Sequence, residues 1–119
     1  MVADGKILLM RRLNAPEAGC WGIAGGKIDL YETAPEAAAR EIAEELGVTV
    51  TADRLLCFVD QIDREAGTHW VSPVYLAQGF EGDPTIQEPH KHADLGWFDL
   101  IDPPAPLTAA AAAAIAALT

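Results

Sequence analysis

The sequence predicts an α/β layered domain with a mixed sheet, and three observations lead there. Short apolar runs, each the length of a buried strand, lie on both sides of one strongly helical segment. An alanine-rich stretch near the C-terminus supplies a second helix, because alanine has the highest helix propensity. The chain has 119 residues, 50% hydrophobic and 22% charged, which suits one globular domain over 1–119 with its own core.

Taken in order, "KILLMR" (6–11) reads as a buried strand, and "CWGIA" (20–24) as another. A helix should then begin after Thr33. "TAPE" is a capping box in which the Thr33 hydroxyl accepts from the Glu36 amide and the Glu36 side chain returns to Thr33. Pro35 is tolerated in the first turn, and Gly47 is placed to end the helix in a left-handed conformation. "RLLCFVD" (54–60) and "HWVSPVYLAQ" (69–78) read as two longer strands joined by the polar turn "QIDREAGT". "LGWFDL" (95–100) is a further strand. Pro103, Pro104 and Pro106 mark a rigid turn, and "TAAAAAAIAAL" is a helix beginning near Thr108.

The formal net charge is −10 and the isoelectric point about 4.5. Such a surface repels nucleic-acid polymers and anionic membranes, so neither is expected as a partner. A small anionic ligand can still bind if a cation accompanies it. The apolar runs are too short for a transmembrane helix, and "MVADGKILLMRR" does not read as a signal peptide. Cys20 and Cys57 lack CxxC spacing and are expected as reduced, buried thiols of a cytoplasmic protein.

The helical segment carries Glu41, Glu44 and Glu45. At about 100° per residue these fall on one stripe, with Ala39, Ile42, Ala43 and Leu46 on a side that can pack on the sheet. Each like-charge pair at i,i+3 or i,i+4 costs roughly 0.2–0.5 kcal/mol, and Arg40 offsets only part of it. A solvated acidic face is the plain alternative. Two features favour a site: Gly25-Gly26 lies upstream, where bare backbone can approach a cation, and Glu32 lies within reach of an ion pair with Arg40. Carboxylates plus a backbone carbonyl form a hard-oxygen set that selects Mg²⁺ or Mn²⁺ over zinc.

Gly26, Glu32, Arg40, Glu41, Ile42, Glu44, Glu45, Gly47 and Val48 stand at the spacings of G-x5-E-x7-R-E-U-x-E-E-x-G-U, where U is a bulky aliphatic residue. This resembles the Nudix box, and the order of strands around it is similar to that family across most of the chain. The resemblance implies an α/β/α sandwich around a mixed sheet and Mg²⁺-dependent hydrolysis of nucleoside diphosphates linked to another moiety. It implies that Glu41, Glu44 and Glu45 bind metal, with the Gly25 carbonyl as a further ligand, and that Glu41 or a neighbour activates the attacking water. It makes Glu32 and Arg40 a structural pair. Arg12 and Lys27 are candidates for substrate phosphate, and Glu88 for one more metal-binding acid; in each case a solvated side chain is the alternative. His90 and His92 flank Lys91 in the same loop at a spacing that would suit a metal, but the expectation is that they are exposed polar residues. Trp70, Tyr75, Trp97 and Phe98 are expected mostly in the core, with any one of them a candidate to stack on a nucleobase and no sequence signal that says which.

Ala24 and Tyr31 depart from the family pattern, where proline and glycine are usual. The family's strand before "GKILLMRR" has almost no room here, so the start is expected to be truncated or that edge built differently. "EPHKHADLGWFDL" with "PAPLT" is loosely similar to small nucleoside-triphosphate hydrolases related to MutT. A nucleoside triphosphate is therefore the expected substrate, with ADP-ribose or a nucleotide sugar as the alternative. A non-catalytic nucleotide-sensing module and an acidic protein-interaction domain are the rivals from other classes, and a homodimer stays open.

Overall fold

The computed structural model describes residues 1–119. Its elements are β1 (Val2–Ala3), β2 (Lys6–Arg12), β3 (Trp21–Gly22), α1 (Ala34–Leu46), β4 (Thr49–Asp63), β5 (Thr68–Glu81), β6 (His92–Asp99) and α2 (Ala109–Leu118). β2 is the centre of a four-stranded sheet, pairing antiparallel with β1 and β3 along one side and with β6 along the other. β4 and β5 form a long antiparallel ribbon of their own. The parallel component is a single bridge, Trp21 to Leu107.

The layering follows from the alternation of β2. Leu8 and Met10 point to one side and pack with Ile42 and Leu46 of α1 and with Val48, Val50 and Ala52. Ile7 and Leu9 point to the other and pack with Ala111, Ala114 and Ile115 of α2. A strand covered on both faces needs a continuous apolar run, which is why "ILLM" does not alternate with polar residues. The result is helix, sheet, helix, with α1 holding its acidic residues beside the sheet.

The edge before β2 is built from a short hairpin: Asp4 and Gly5, at φ 53° and 73°, turn the chain, and β1 pairs Val2 with Ile7. Three expectations about the strands and the cysteines need correction. "CWGIA" contributes only Trp21–Gly22 to the sheet. Strand pairing runs on through Asp63 and resumes at Thr68, so the expected eight-residue turn is really four residues, 64–67. Cys20 and Cys57 are free thiols but half-buried rather than buried.

α1 begins and ends where its caps dictate. Thr33 accepts from the Glu36 amide with the reciprocal bond present, and Gly47 closes the helix at φ 72°. Its faces differ from the expected ones: Ala43 is exposed, Ala37 is buried, and Glu45 is buried with 7% exposure.

Tyr31, just before α1, adopts φ 68° with its ring 95% exposed. A side chain in this left-handed region costs about 1–2 kcal/mol, and this one has little packing to lose. Tyr31→Gly is therefore expected to raise stability by about 0.5–1 kcal/mol, after the entropy that glycine returns to the unfolded chain. A urea midpoint that rises at constant m-value would show it; a lower midpoint would mean that the ring makes a contact worth more than the strain.

Candidate active site

The loop between β3 and α1 is held to the helix by one side chain. Arg40 donates through Nε to Glu32 Oε2 at 2.7 Å and through Nη2 to Glu32 Oε1 at 3.0 Å. Nη2 also reaches the Lys27 carbonyl at 2.9 Å. Nη1 reaches Glu41 Oε1 at 2.9 Å and Glu44 Oε2 at 3.2 Å. Glu32 in turn accepts from the Asp29 amide at 3.0 Å. The bidentate guanidinium, followed by that amide, holds the Glu32 carboxyl below its usual range, while Glu32 above all pushes the Arg40 pKa up.

With the loop pinned, Gly25 and Gly26 lie against the acidic helix. The Gly25 amide donates to Glu45 Oε2 at 3.1 Å. A Cβ at Gly26 would lie 2.6 Å from the Glu41 carboxyl carbon, so any larger residue there would displace that carboxylate. Glu45 is buried with that one amide as its hydrogen-bond donor. Burial first, then the charges of Glu41 and Glu88, raise its pKa to about 7 against the pull of the Gly25 amide and Lys91.

A third segment closes on the same place. Glu88 accepts from Lys91 Nζ at 3.1 Å, and Glu88 foremost, with Glu45 and Glu41 further off, raises the Lys91 pKa. His92 is 6% exposed with Nδ1 unpartnered; burial and the neighbouring Arg12 lower its pKa, so it is neutral at pH 7. Arg12, opposite His92 in the sheet, is anchored by Nε to the Pro16 carbonyl at 2.8 Å.

A cleft of about 890 Å³ runs past these groups, and its wall includes Arg12, Gly25, Lys27, Glu41, Glu45 and Lys91. The structure thus gathers Arg12, Gly25, Lys27, Glu41 and Glu45 on one cleft wall, which includes neither Glu44 nor Glu88. Glu44 leaves the stripe: its side chain is 55% exposed and faces Arg40 rather than the cleft. Gly25 meets Glu45 through its N–H. His92 is buried, contrary to expectation, whereas His90 is exposed. Lys91 is the residue sequence reasoning missed; its signal was a lone cation three positions after Glu88 in a chain short of positive charge.

The donor set suits a hard divalent cation. Glu45 is a buried carboxylate with one hydrogen bond, Glu41 stands beside it, and bare glycine backbone adjoins both. No three acid, histidine or cysteine side chains converge tightly enough to hold a metal as they stand. Arg40 pairs with Glu41, and Lys91 with Glu88, at the edges of this set.

A family model described as the NUDIX domain matches residues 1–118. The chain is 36% identical over 97 residues to an ADP-ribose pyrophosphatase of Methanocaldococcus jannaschii, covering 82% of this chain and 56% of that protein. It is 35% identical over 96 residues to a CTP pyrophosphohydrolase of Escherichia coli, covering 79% of this chain and 67% of that one. The chain therefore spans between about half and two-thirds of these relatives' lengths. A crystal structure of a MutT NUDIX hydrolase from Burkholderia pseudomallei superposes with a TM-score of 0.96 at 53% identity, covering 100% of this chain and 92% of that one.

Proposed function

The chain belongs to the NUDIX domain family, and from that premise we propose that it is a Mg²⁺-dependent hydrolase of a nucleotide pyrophosphate bond with a nucleoside triphosphate as substrate. The observation that carries this reading is the buried, once-bonded Glu45 carboxylate beside Glu41 and the Gly25-Gly26 backbone, on the wall of the cleft. The relatives' named activities, on CTP and on ADP-ribose, share a nucleotide pyrophosphate as the target.

Glu41, Glu45 and Glu88, with the Gly25 carbonyl, are the groups assigned to hold the metal, and Glu44 stands at its edge. Bound there, Mg²⁺ would neutralise phosphoryl oxygens, acidify a water and stabilise the leaving oxygen. The chain's own residues do the rest. Arg12 and Lys27 offer cations to the phosphates from the cleft wall. A carboxylate of α1, Glu41 by its position, takes the proton from the attacking water. Arg40 and Glu32 hold the glycine loop so that these groups keep their spacing.

The test is phosphate and pyrophosphate release from the common nucleoside triphosphates, ADP-ribose and a nucleotide sugar, with Mg²⁺, for wild type and Glu41→Gln. Wild type should release pyrophosphate from a triphosphate, and Glu41→Gln should be slower by about 10²-fold or more. Cleavage of ADP-ribose with the triphosphates untouched would move the protein to the alternative substrate class. No turnover of any substrate would overturn the proposal.

A further inference from the structure

Of the four aromatic candidates on the strands, three are spoken for. Trp97 stacks on Phe80 with centroids 5.7 Å apart and planes at 21°. Phe98 meets Trp21 edge-on at 4.9 Å. Tyr75 also lines the cleft but packs half-buried against the α1 core cluster, which fixes its ring. Trp70 remains 57% exposed and lines the cleft that holds Glu41 and Glu45. Lys27 Nζ lies 5.7 Å from the indole centroid, so this ring adjoins the same glycine loop that touches the acidic helix.

Beside the indole stands a polar pair. Gln61 is the cross-strand partner of Trp70, and paired residues share one face of the ribbon. Ser72, two residues from Trp70 and therefore on that face, donates to Gln61 Oε1 at 3.0 Å. With its oxygen engaged, Gln61 has its amide N–H donors left for a ligand, and both residues line the cleft. A flat apolar ring next to fixed N–H donors suits a planar heterocycle bearing a carbonyl oxygen.

We propose that Trp70 is the stacking platform for the substrate's base and that Gln61, steadied by Ser72, reads a carbonyl oxygen on the base edge. Guanine, cytosine and uracil carry such an oxygen; adenine offers only ring nitrogens beside an N6–H2 donor that would oppose the Gln61 N–H, so keto bases are preferred over adenine. This rests on the nucleotide reading of the site, yet part of its test needs no turnover.

Binding of GMP and AMP is measured by calorimetry and by tryptophan fluorescence, on wild type, Trp70→Ala, Trp70→Phe and Gln61→Leu. Phe58→Ser, on the opposite face of the ribbon, is the folding control. GMP should bind wild type more tightly than AMP and quench its fluorescence. Trp70→Ala should weaken GMP binding by about 5- to 150-fold, the range for loss of one stacked base. Trp70→Phe should retain most of the affinity while losing the quench. Gln61→Leu should bring the GMP-to-AMP ratio towards one. If Trp70→Ala binds GMP within twofold of wild type, the platform is wrong; if wild type prefers AMP, the Gln61 reading is wrong. Failure of every triphosphate to turn over would sink the proposed reaction, and these equilibrium measurements would still decide on Trp70.

Discussion

Glu45→Gln is expected to lose turnover by about 10²-fold or more while making the metal-free protein more stable at pH 8. The two effects come from one cause. The Glu45 carboxyl ionises near 4.5 in an unfolded chain and at about 7 in the fold, chiefly because burial penalises the charge. Between those values the folded protein keeps a proton that the unfolded chain has released. This group's contribution therefore favours folding at pH 4, declines as pH rises from 4.5 to 7, and is fully lost above that. The shift corresponds to about 3 kcal/mol. A neutral glutamine removes the penalty and can still accept from the Gly25 amide. Thermal melts in chelator should show a clear gain in Tm for the variant at pH 8 and little difference at pH 5. Mg²⁺ should then stabilise wild type by mass action and the variant much less. A variant that is less stable than wild type at pH 8 in chelator would show that the buried carboxylate is satisfied without a cation.

The ends of α1 were legible because capping is local: Thr33 and Glu36 lie three residues apart, and Gly47 meets the helix end wherever the helix packs. The Glu32–Arg40 pair was legible for a similar reason, since only Thr33 and the start of α1 lie between them and charges of opposite sign seek each other. The division of labour among the three glutamates was not. On a helical wheel Glu41 lies between Glu44 and Glu45, and which flank turns inward depends on where the sheet lies. Packing of Ala37, Ile42 and Leu46 turned Glu45 towards the core and Glu44 towards water.

Two other features needed tertiary contact to be seen. Lys91 arrives at the acidic cluster from a loop far along the chain, and nothing near Glu41 in sequence announces it. Trp70 could not be separated from Trp97 by alternation, because apolar residues fall on both faces of "HWVSPVYLAQ" and "LGWFDL", so neither pattern says which face is wet. The β1 hairpin is a different case. Asp4-Gly5 is a strong turn signal, and it went unread because a two-residue strand is too short to show periodicity.

Arg40→Lys is expected to lower kcat/KM by roughly 10- to 100-fold, the range for groups that orient metal-binding residues, and to lower Tm as well. A lysine keeps the charge, yet it cannot reproduce a fork that engages both oxygens of Glu32, the Lys27 carbonyl, Glu41 and Glu44 together. Losing the carbonyl contact frees the Gly25–Lys27 backbone, and losing the Glu32 contact frees the turn before α1. Glu41 would then sit half-buried with no guanidinium beside it. Glu32→Gln should be milder, since the amide can still accept one bond from Arg40, and the Asp29 amide remains a donor. The depressed pKa of Glu32 means that its pairing stabilises the fold above the ordinary carboxylate range and is lost as pH falls through the folded value, the reverse of Glu45. The loss of Tm in Glu32→Gln should accordingly be greatest near neutral pH and shrink in acid. Limited proteolysis adds the spatial check: cleavage within residues 25–33 should appear in Arg40→Lys before any cut in β2 or β4. An Arg40→Lys protein with wild-type kcat/KM and an uncut loop would mean that the glycine loop holds its place against the acidic helix without the guanidinium.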